Sequence, residues 1–299
     1  MNRCFERRSH RRLHLLMALL IAAVALSGCA APETASEEGE GLAVADAGEC
    51  VAGAEDMIRI RAAGVLKIGV TDNLRPLCYQ EKGEWMGFDA ELAAVFARWL
   101  GVQAEYVEIT WKNRVQLLQN GGIDCIWNGM TKTEALLSLI DCSETYLTNA
   151  QVIVMPKEQF QKYDAVDKCY HLLYGVEKGS SAQTIAESRK LRTVTYATQW
   201  EVLERLRDKA CDAAIADENV ARAAVGEGKT FDTLDYNYPL NSEELCVGVR
   251  KDSPLLTSVN DFLRFSTRNG TMRSFAKHYG LEEALAMGVR RTTEEQAQQ

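Results

Sequence analysis

With 299 residues, of which 46% are hydrophobic, the chain has the length and apolar content for two modest domains or one large one. A formal net charge of −8, from 34 Lys+Arg against 42 Asp+Glu, argues against nucleic acid and anionic lipid surfaces as electrostatic partners. No cysteine pair has CxxC spacing and only His171 and His278 lie beyond residue 28, so a metal centre has few ligands to draw on and no cofactor is expected.

The first residues carry Arg3, Arg7, Arg8, Arg11 and Arg12, followed from Leu13 by the apolar run LHLLMALLIAAVALSG, which ends at Cys29. This pattern predicts a leader over 1–28, removed on export. The run is short for a membrane span, which needs roughly 20 apolar residues. Its LSGC end resembles the lipobox of bacterial lipoproteins, which implies that Cys29 is acylated and tethers the chain to the membrane from outside the cytoplasm. Removal of 1–28 leaves 271 residues; it takes away five arginines and Glu6, leaving 29 basic against 41 acidic residues and a net charge of −12. Setting Cys4 and Cys29 aside, seven cysteines remain at 50, 78, 125, 142, 169, 211 and 246, so at least one stands outside any intrachain bridge. Cys125, Cys211 and Cys246 lie in or beside apolar runs and read as small buried hydrophobes.

Residues 29–55, rich in Ala, Gly and Glu, read as a flexible tether. From Met57, MIRIRAAG reads as a short helix or extended lead-in and LKIGVTDN as a first strand stopped by Asp72 and Asn73. GFDAELAAVFARWLG then predicts a helix with Asp89 as N-cap, a stripe of Leu92, Phe96 and Trp99 or Leu100, and Gly101 as C-cap. AEYVEI reads as a strand, NRVQLLQN as a short helix closed by Gly121 and Gly122, and IDCIWNG as a strand. Ligands of such α/β sheets sit at the carboxyl ends of strands, which points to Asp72 to Arg75, to Trp111 and Lys112, and to Trp127 to Thr131. A second α/β unit follows between about Gln151 and Asp235: HLLYGVEKGSSAQTIAESR, LRTVTY, EVLERLRDK and CDAAIADENVARAAV give strand, helix, strand, helix, strand and helix. LCVGVR reads as one more strand, and SVNDFLRFSTRNGTMRSFAKHYG as paired helices around Asn269-Gly270, with Val259, Phe262 and Leu263 on one face. Packing those helices back onto the first unit gives an α/β protein of two lobes, 56–149 with 242–290 and 150–241, joined by crossings near 149–152 and 238–246. Residues 291–299 read as a frayed tail.

In order, LKIGVTDN, GEWMGFDAELAAVFARWLG, GGIDCIWNGMTKTEALLSLIDCSETYL, GVEKGSSAQ and CDAAIADENVA resemble the family 3 solute-binding proteins of amino-acid ABC importers, over about residues 57–281. The resemblance implies a two-lobed type II periplasmic-binding-protein-like fold, each lobe an α/β sandwich, closing on a small polar solute such as an amino acid or amine and delivering it to ABC importer permease subunits. It implies that Trp111 packs over the ligand, that Asn128, Gly129 and Thr131 supply backbone and hydroxyl contacts, that Ser180 and Ser181 supply further donors, and that Asp217 accepts the ammonium group. Each assignment is physically reasonable: strand-end and helix-start N–H groups bind carboxylates, and a carboxylate behind an apolar strand is costly unless paired. A helix cap is the alternative role for Asp217. The chain departs from the family at Leu136, where an arginine normally clamps the ligand's α-carboxylate. An alkyl chain cannot replace a bidentate guanidinium, so either another cation, with Lys112, Lys132 and Arg75 as candidates, takes the acid group or the ligand has none there. Arg75, between Leu74 and Pro76 in a strand-end loop, is the leading candidate.

Two other functions fit the same fold. A dehydratase of cyclic dienyl acids needs a positioned general acid, for which Glu134, Asp217 and Glu218 are available, but without an arginine to hold the substrate acid such a group is poorly oriented. A sensor or structural lipoprotein needs no importer, and neighbouring permease and ATPase genes would discriminate against it.

Overall fold

The computed structural model describes residues 53–163 and 165–286. The leader, Cys29, residues 287–290 of the span read as the first lobe and the tail 291–299 lie outside the described residues. Part of the segment read as tether does not: Gly53–Glu55 form a 3-10 turn, and a Cβ at Gly53 would lie 2.1 Å from the Lys251 carbonyl oxygen. Helix α1 (Asp56–Ala63) ends at Gly64 in the left-handed conformation and feeds β1 (Val65–Val70). A hairpin of β2 (Tyr79–Glu81) and β3 (Glu84–Met86) precedes α2 (Phe88–Leu100), after which come β4 (Gln103–Glu108), α3 (Arg114–Gln119), β5 (Cys125–Thr131), α4 (Glu134–Leu139), β6 (Asp141–Cys142) and β7 (Leu147–Asn149).

The chain then crosses at Ala150 into β8 (Gln151–Pro156), β9 (Leu173–Glu177), α5 (Ser181–Ser188), β10 (Arg192–Tyr196), α6 (Gln199–Arg207), β11 (Ala213–Asp217), α7 (Glu218–Ala224) and β12 (Leu234–Pro239). It returns through residues 240–242 to β13 (Glu243–Val249), α8 (Leu255–Arg268) and α9 (Thr271–Tyr279). The first sheet has the order β4-β1-β5-β13-β6, with β7 also on β13, and the second β10-β9-β11-β8-β12. In each, three parallel strands adjoin an antiparallel crossing strand, β13 on β5 and β8 on β11. Flanking strands on both sides of β1, and likewise of β9, create the switch-point crevice at which α/β sheets bind ligands. Thus both lobes point their strand carboxyl ends at the same cleft.

The C-terminal helices pack on the first lobe through an aromatic cluster in which Phe96 lies 5.6 Å from Trp127 and 5.2 Å from Phe262 between ring centroids. Val259, Phe262 and Leu263 are buried, as the i, i+3, i+4 spacing predicts. Trp99 is not part of that buried stripe: it is 44% exposed and caps Phe96 from outside. Cys125, Cys211 and Cys246 are buried free thiols.

Asp89 is not the N-cap of α2. Gly87, at φ 111°, holds that position, where a Cβ would come within 2.4 Å of the Leu77 carbonyl oxygen. Asp89 is instead buried one residue into the helix, accepting from the Tyr146 hydroxyl at 2.9 Å and from the Gly129 N–H at 2.5 Å. Burial raises its carboxyl to about 7 against the pull of those two donors. Strands β8 and β12 have no counterpart in the sequence reading. β8 is a continuous buried run without the period-2 signal, whereas the alternation of buried and less buried residues in LDYNYP was readable.

Candidate functional site

The cleft between the lobes encloses a cavity of about 430 Å³, within the size range of small-molecule sites. Its first-lobe wall carries Trp111 and Thr131 from the ends that follow β4 and β5, together with an apolar patch of Val115, Met130, Leu136 and Leu139. The second-lobe wall carries Gly179, Ser180 and Ser181 after β9, Gln199 after β10 and Asp217 at the end of β11. The walls approach closely, for a Cβ at Gly179 would sit 3.5 Å from that of Trp111.

Asp217 is the polar centre. One carboxylate oxygen accepts from the Asn149 amide at 2.7 Å and the Gln151 amide at 2.5 Å, and the other from the Gln199 amide at 2.5 Å. Gln199 also accepts from the Asp217 backbone N–H at 2.9 Å, which fixes the amide orientation. Although Asp217 stands at the N-cap of α7, its side chain makes no capping bond. Burial, then the neighbouring Glu243 carboxylate, raises its carboxyl above the ordinary range.

Behind it, Glu243 on the returning strand is only 4% exposed and joins both lobes and both crossings. It accepts from Asn149 at 2.7 Å, Gln151 at 3.1 Å, Asn241 at 3.0 Å, Thr131 at 3.3 Å and the Ser181 hydroxyl. A third carboxyl, Glu177, is 6% exposed and keeps one buried oxygen without a hydrogen-bond partner. Burial, reinforced by the charge of Asp217, pushes it up to about 8.

Of the residues singled out in the sequence, Trp111, Gly129, Thr131, Ser180, Ser181 and Asp217 line one cavity. Their free valences differ from expectation. The Gly129 N–H is already given to Asp89. The Ser180 hydroxyl accepts from the Gln183 N–H as the α5 cap and donates to the Glu177 carbonyl. Asn128 is fully buried behind the wall, its amide donating to Thr71 at 3.0 Å. Arg75 does not reach the cavity: its guanidinium lies 3.8 Å from the centre of the Tyr79 ring, on its own loop. Lys132 is also absent from the lining, while Lys112 stands exposed at the rim.

Sequence reading missed Glu243, Asn149, Gln151, Gln199, Glu177 and Arg114. Glu177 ends strand β9 and Gln199 follows β10, so both were open to the strand-end argument that pointed to Trp111 and Thr131. The crossing residues Asn149, Gln151 and Glu243 carry no local signal.

A two-lobed fold whose strand ends converge on a buried carboxylate agrees with the family comparison, which matches residues 66–282. The chain belongs to the bacterial extracellular solute-binding proteins, family 3. It is 28% identical over 247 residues to the glutamine-binding protein of Geobacillus stearothermophilus, covering 80% of this chain and 92% of that one. It is 25% identical over 221 residues to the arginine-binding extracellular protein ArtP of Bacillus subtilis, covering 72% and 85%. Among solved structures, the ancestral amino acid-binding protein AncCDT-1, a precursor of cyclohexadienyl dehydratase, superposes with a TM-score of 0.69 at 26% identity, covering 75% of this chain and 98% of that one.

The family 3 protein described here is therefore an extracytoplasmic solute-binding receptor. Two of the acids available to a dehydratase stand outside the cavity lining: Glu134 is exposed on α4, and Glu218 is paired with Arg222 at 3.0 Å. Among the described residues, no His, Cys, Asp and Glu group is arranged to hold a metal, and no helix is long and apolar enough to cross a membrane.

Proposed function

We propose that this receptor binds a free amino acid or a close amine-bearing analogue between lobes formed by 56–149 with 242–290 and by 150–241. The observation that carries the reading is Asp217, a carboxylate oriented by three amides at the cavity wall. A ligand ammonium group supplies the charge partner that such a site lacks among its neighbours, two of which are acids. Trp111 and the Leu136 patch offer an apolar face to the ligand's carbon skeleton, and Thr131 and Ser181 hold Glu243 in place behind it. The relatives named for glutamine, arginine and amino-acid binding support the same substrate class.

A thermal-shift screen of the full chain in detergent against the twenty L-amino acids and simple diamines tests the reading. A true ligand at about 1,000 times its Kd adds roughly 4 kcal/mol of stability. An unmoved melting temperature across the whole panel would reject it.

We further propose that residues 1–28 are a leader, that 29–52 tether the folded part, and that a lipid on Cys29 holds the receptor at the membrane. The basic start, the apolar run and the LSGC end support this. Cys29→Ser is expected to release the protein from the membrane fraction or leave it unprocessed. A processed Cys29→Ser protein still fixed to membranes contradicts the anchor.

A further inference from the structure

Strand β6 is the edge strand beside the returning strand β13, and its Cys142 stands opposite Gly248. Side chains on one face of a strand recur every second residue, so Cys246 is the diagonal neighbour of Cys142 on that face. Gly248 has no side chain to stand between them. A Cβ there would meet Met130 and Ile140, which belong with Cys246 and Cys142 to one apolar cluster. In that cluster the two thiols are hydrogen-bonded to each other. Cys246 is fully buried and Cys142 half-buried, both as free thiols. The bond from Cys246, helped by the charges of Lys132 and Lys251, draws the Cys142 thiol down against the effect of burial. Burial pushes Cys78, Cys125, Cys169 and Cys211 up, so Cys142 alone among the described cysteines is shifted toward the nucleophilic thiolate.

An accessible thiol in contact with a buried one is the arrangement that thiol–disulfide exchange requires, and extracytoplasmic compartments let such pairs oxidise and stay oxidised. We propose that Cys142 and Cys246 join in a disulfide after export, by exchange with a protein or small-molecule disulfide. The Cys142 thiolate attacks one sulfur of that oxidant, forming a mixed disulfide and expelling the first thiolate. The Cys246 thiol then loses its proton and attacks the Cys142 sulfur, expelling the second. Two receptor thiols are oxidised, one disulfide is reduced to two thiols, and the two receptor protons pass to the released sulfurs. The bond closes a loop over 143–245, which holds both crossings and the whole second lobe. Neither cysteine lines the cavity, so the bond acts by restricting the unfolded chain and by fastening β6 to β13 at the roots of the crossings.

Peptide mapping of the full chain, isolated after export with iodoacetamide present throughout and digested without reductant, tests the pairing. Mass spectrometry is expected to find one pair of peptides joined through Cys142 and Cys246, with both residues alkylated only after reduction. Reduction should lower the melting temperature by roughly 10 °C, the effect of opening a loop of about 100 residues in a chain of this size. The Cys142→Ser, Cys246→Ser double variant should melt at the same temperature with and without reductant. The order of attack is read from reduced protein treated with oxidised glutathione: Cys246→Ser should trap glutathione on Cys142, whereas Cys142→Ser should leave the buried Cys246 unmodified. Alkylation of both residues in the exported wild type before reduction, or a link from either to a different cysteine, overturns the pairing. A melting temperature that reduction leaves unmoved, or a shift that persists in the double variant, rejects the stabilising role. The peptide link is read on the wild type and does not depend on any variant folding.

Discussion

Asp217→Asn is expected to weaken binding of the amino-acid ligand by about 2–5 kcal/mol, roughly 30-fold to several thousandfold. The substitution keeps the shape of the side chain but removes the charge that faces the ammonium group and turns one acceptor into a donor against amides that already donate. The proton balance gives a second, independent readout. Asp217 must be ionised to hold the ammonium group, and burial beside Glu243 raises its carboxyl above the ordinary aspartate range, so affinity falls as pH is lowered through that raised pKa. Stability of the ligand-free receptor runs the other way. Glu177 titrates at about 8 in the folded state against 4.5 ordinarily, so the folded chain holds a proton that the unfolded chain has released. That contribution is full below pH 4.5 and lost as pH rises toward about 8, and the raised Asp217 adds to it with the same sign. Melting temperatures of the free receptor should therefore fall from pH 5 to 8 while the ligand-induced shift grows. An affinity within threefold of wild type in Asp217→Asn, measured by calorimetry, would refute the assigned role.

What the sequence made legible follows from how local each signal is. Strand-end position singled out Trp111 and Thr131, because a strand that stops at polar residues announces its own carboxyl end, whereas Asp217 came from the resemblance to the family. The cluster around Asp217 was not legible, since Asn149, Gln151 and Glu243 meet it only when two crossings 90 residues or more apart come together. Arg75 failed for a related reason. The TDNLRP loop was read as projecting to the cleft, yet Tyr79 in the following hairpin offers the guanidinium a ring to stack on, a pairing that strand-end reasoning does not anticipate. Asp89 gave the wrong role because a capping residue and a buried acid two positions further on share the same sequence signature, and the positive φ of Gly87 decides between them.

Arg250→Met is expected to destabilise the receptor by about 3–5 kcal/mol, a large share of the about 5–15 kcal/mol typical of a folded domain. Arg250 is 2% exposed and forks onto Asp56 at 2.9 Å and Asp124 at 3.0 Å, while its remaining nitrogen donates to the Leu118 and Ile123 carbonyl oxygens at 2.6 and 2.5 Å. One side chain thereby fastens the start of α1, the end of α3 and the entry to β5 to the end of β13. Methionine fills similar space but strands two aspartates that are 0% and 5% exposed, leaving them the partly exposed Arg59 at 2.7 and 3.0 Å as counter-charge. The loss comes from those uncompensated acids, not from a missing attraction, which makes a specific demand on a second substitution. Adding Asp56→Asn to Arg250→Met removes one stranded charge while keeping an acceptor for the Ser253 hydroxyl, now at 2.6 Å, and should recover part of the loss. Because the network lies away from the cavity lining, ligand affinity per folded molecule should stay unchanged in both variants. Urea denaturation decides the matter: a loss below about 1 kcal/mol in Arg250→Met, the range of an exposed pair, or a double variant weaker than the single one, would show that the buried acids are not what the arginine holds in check.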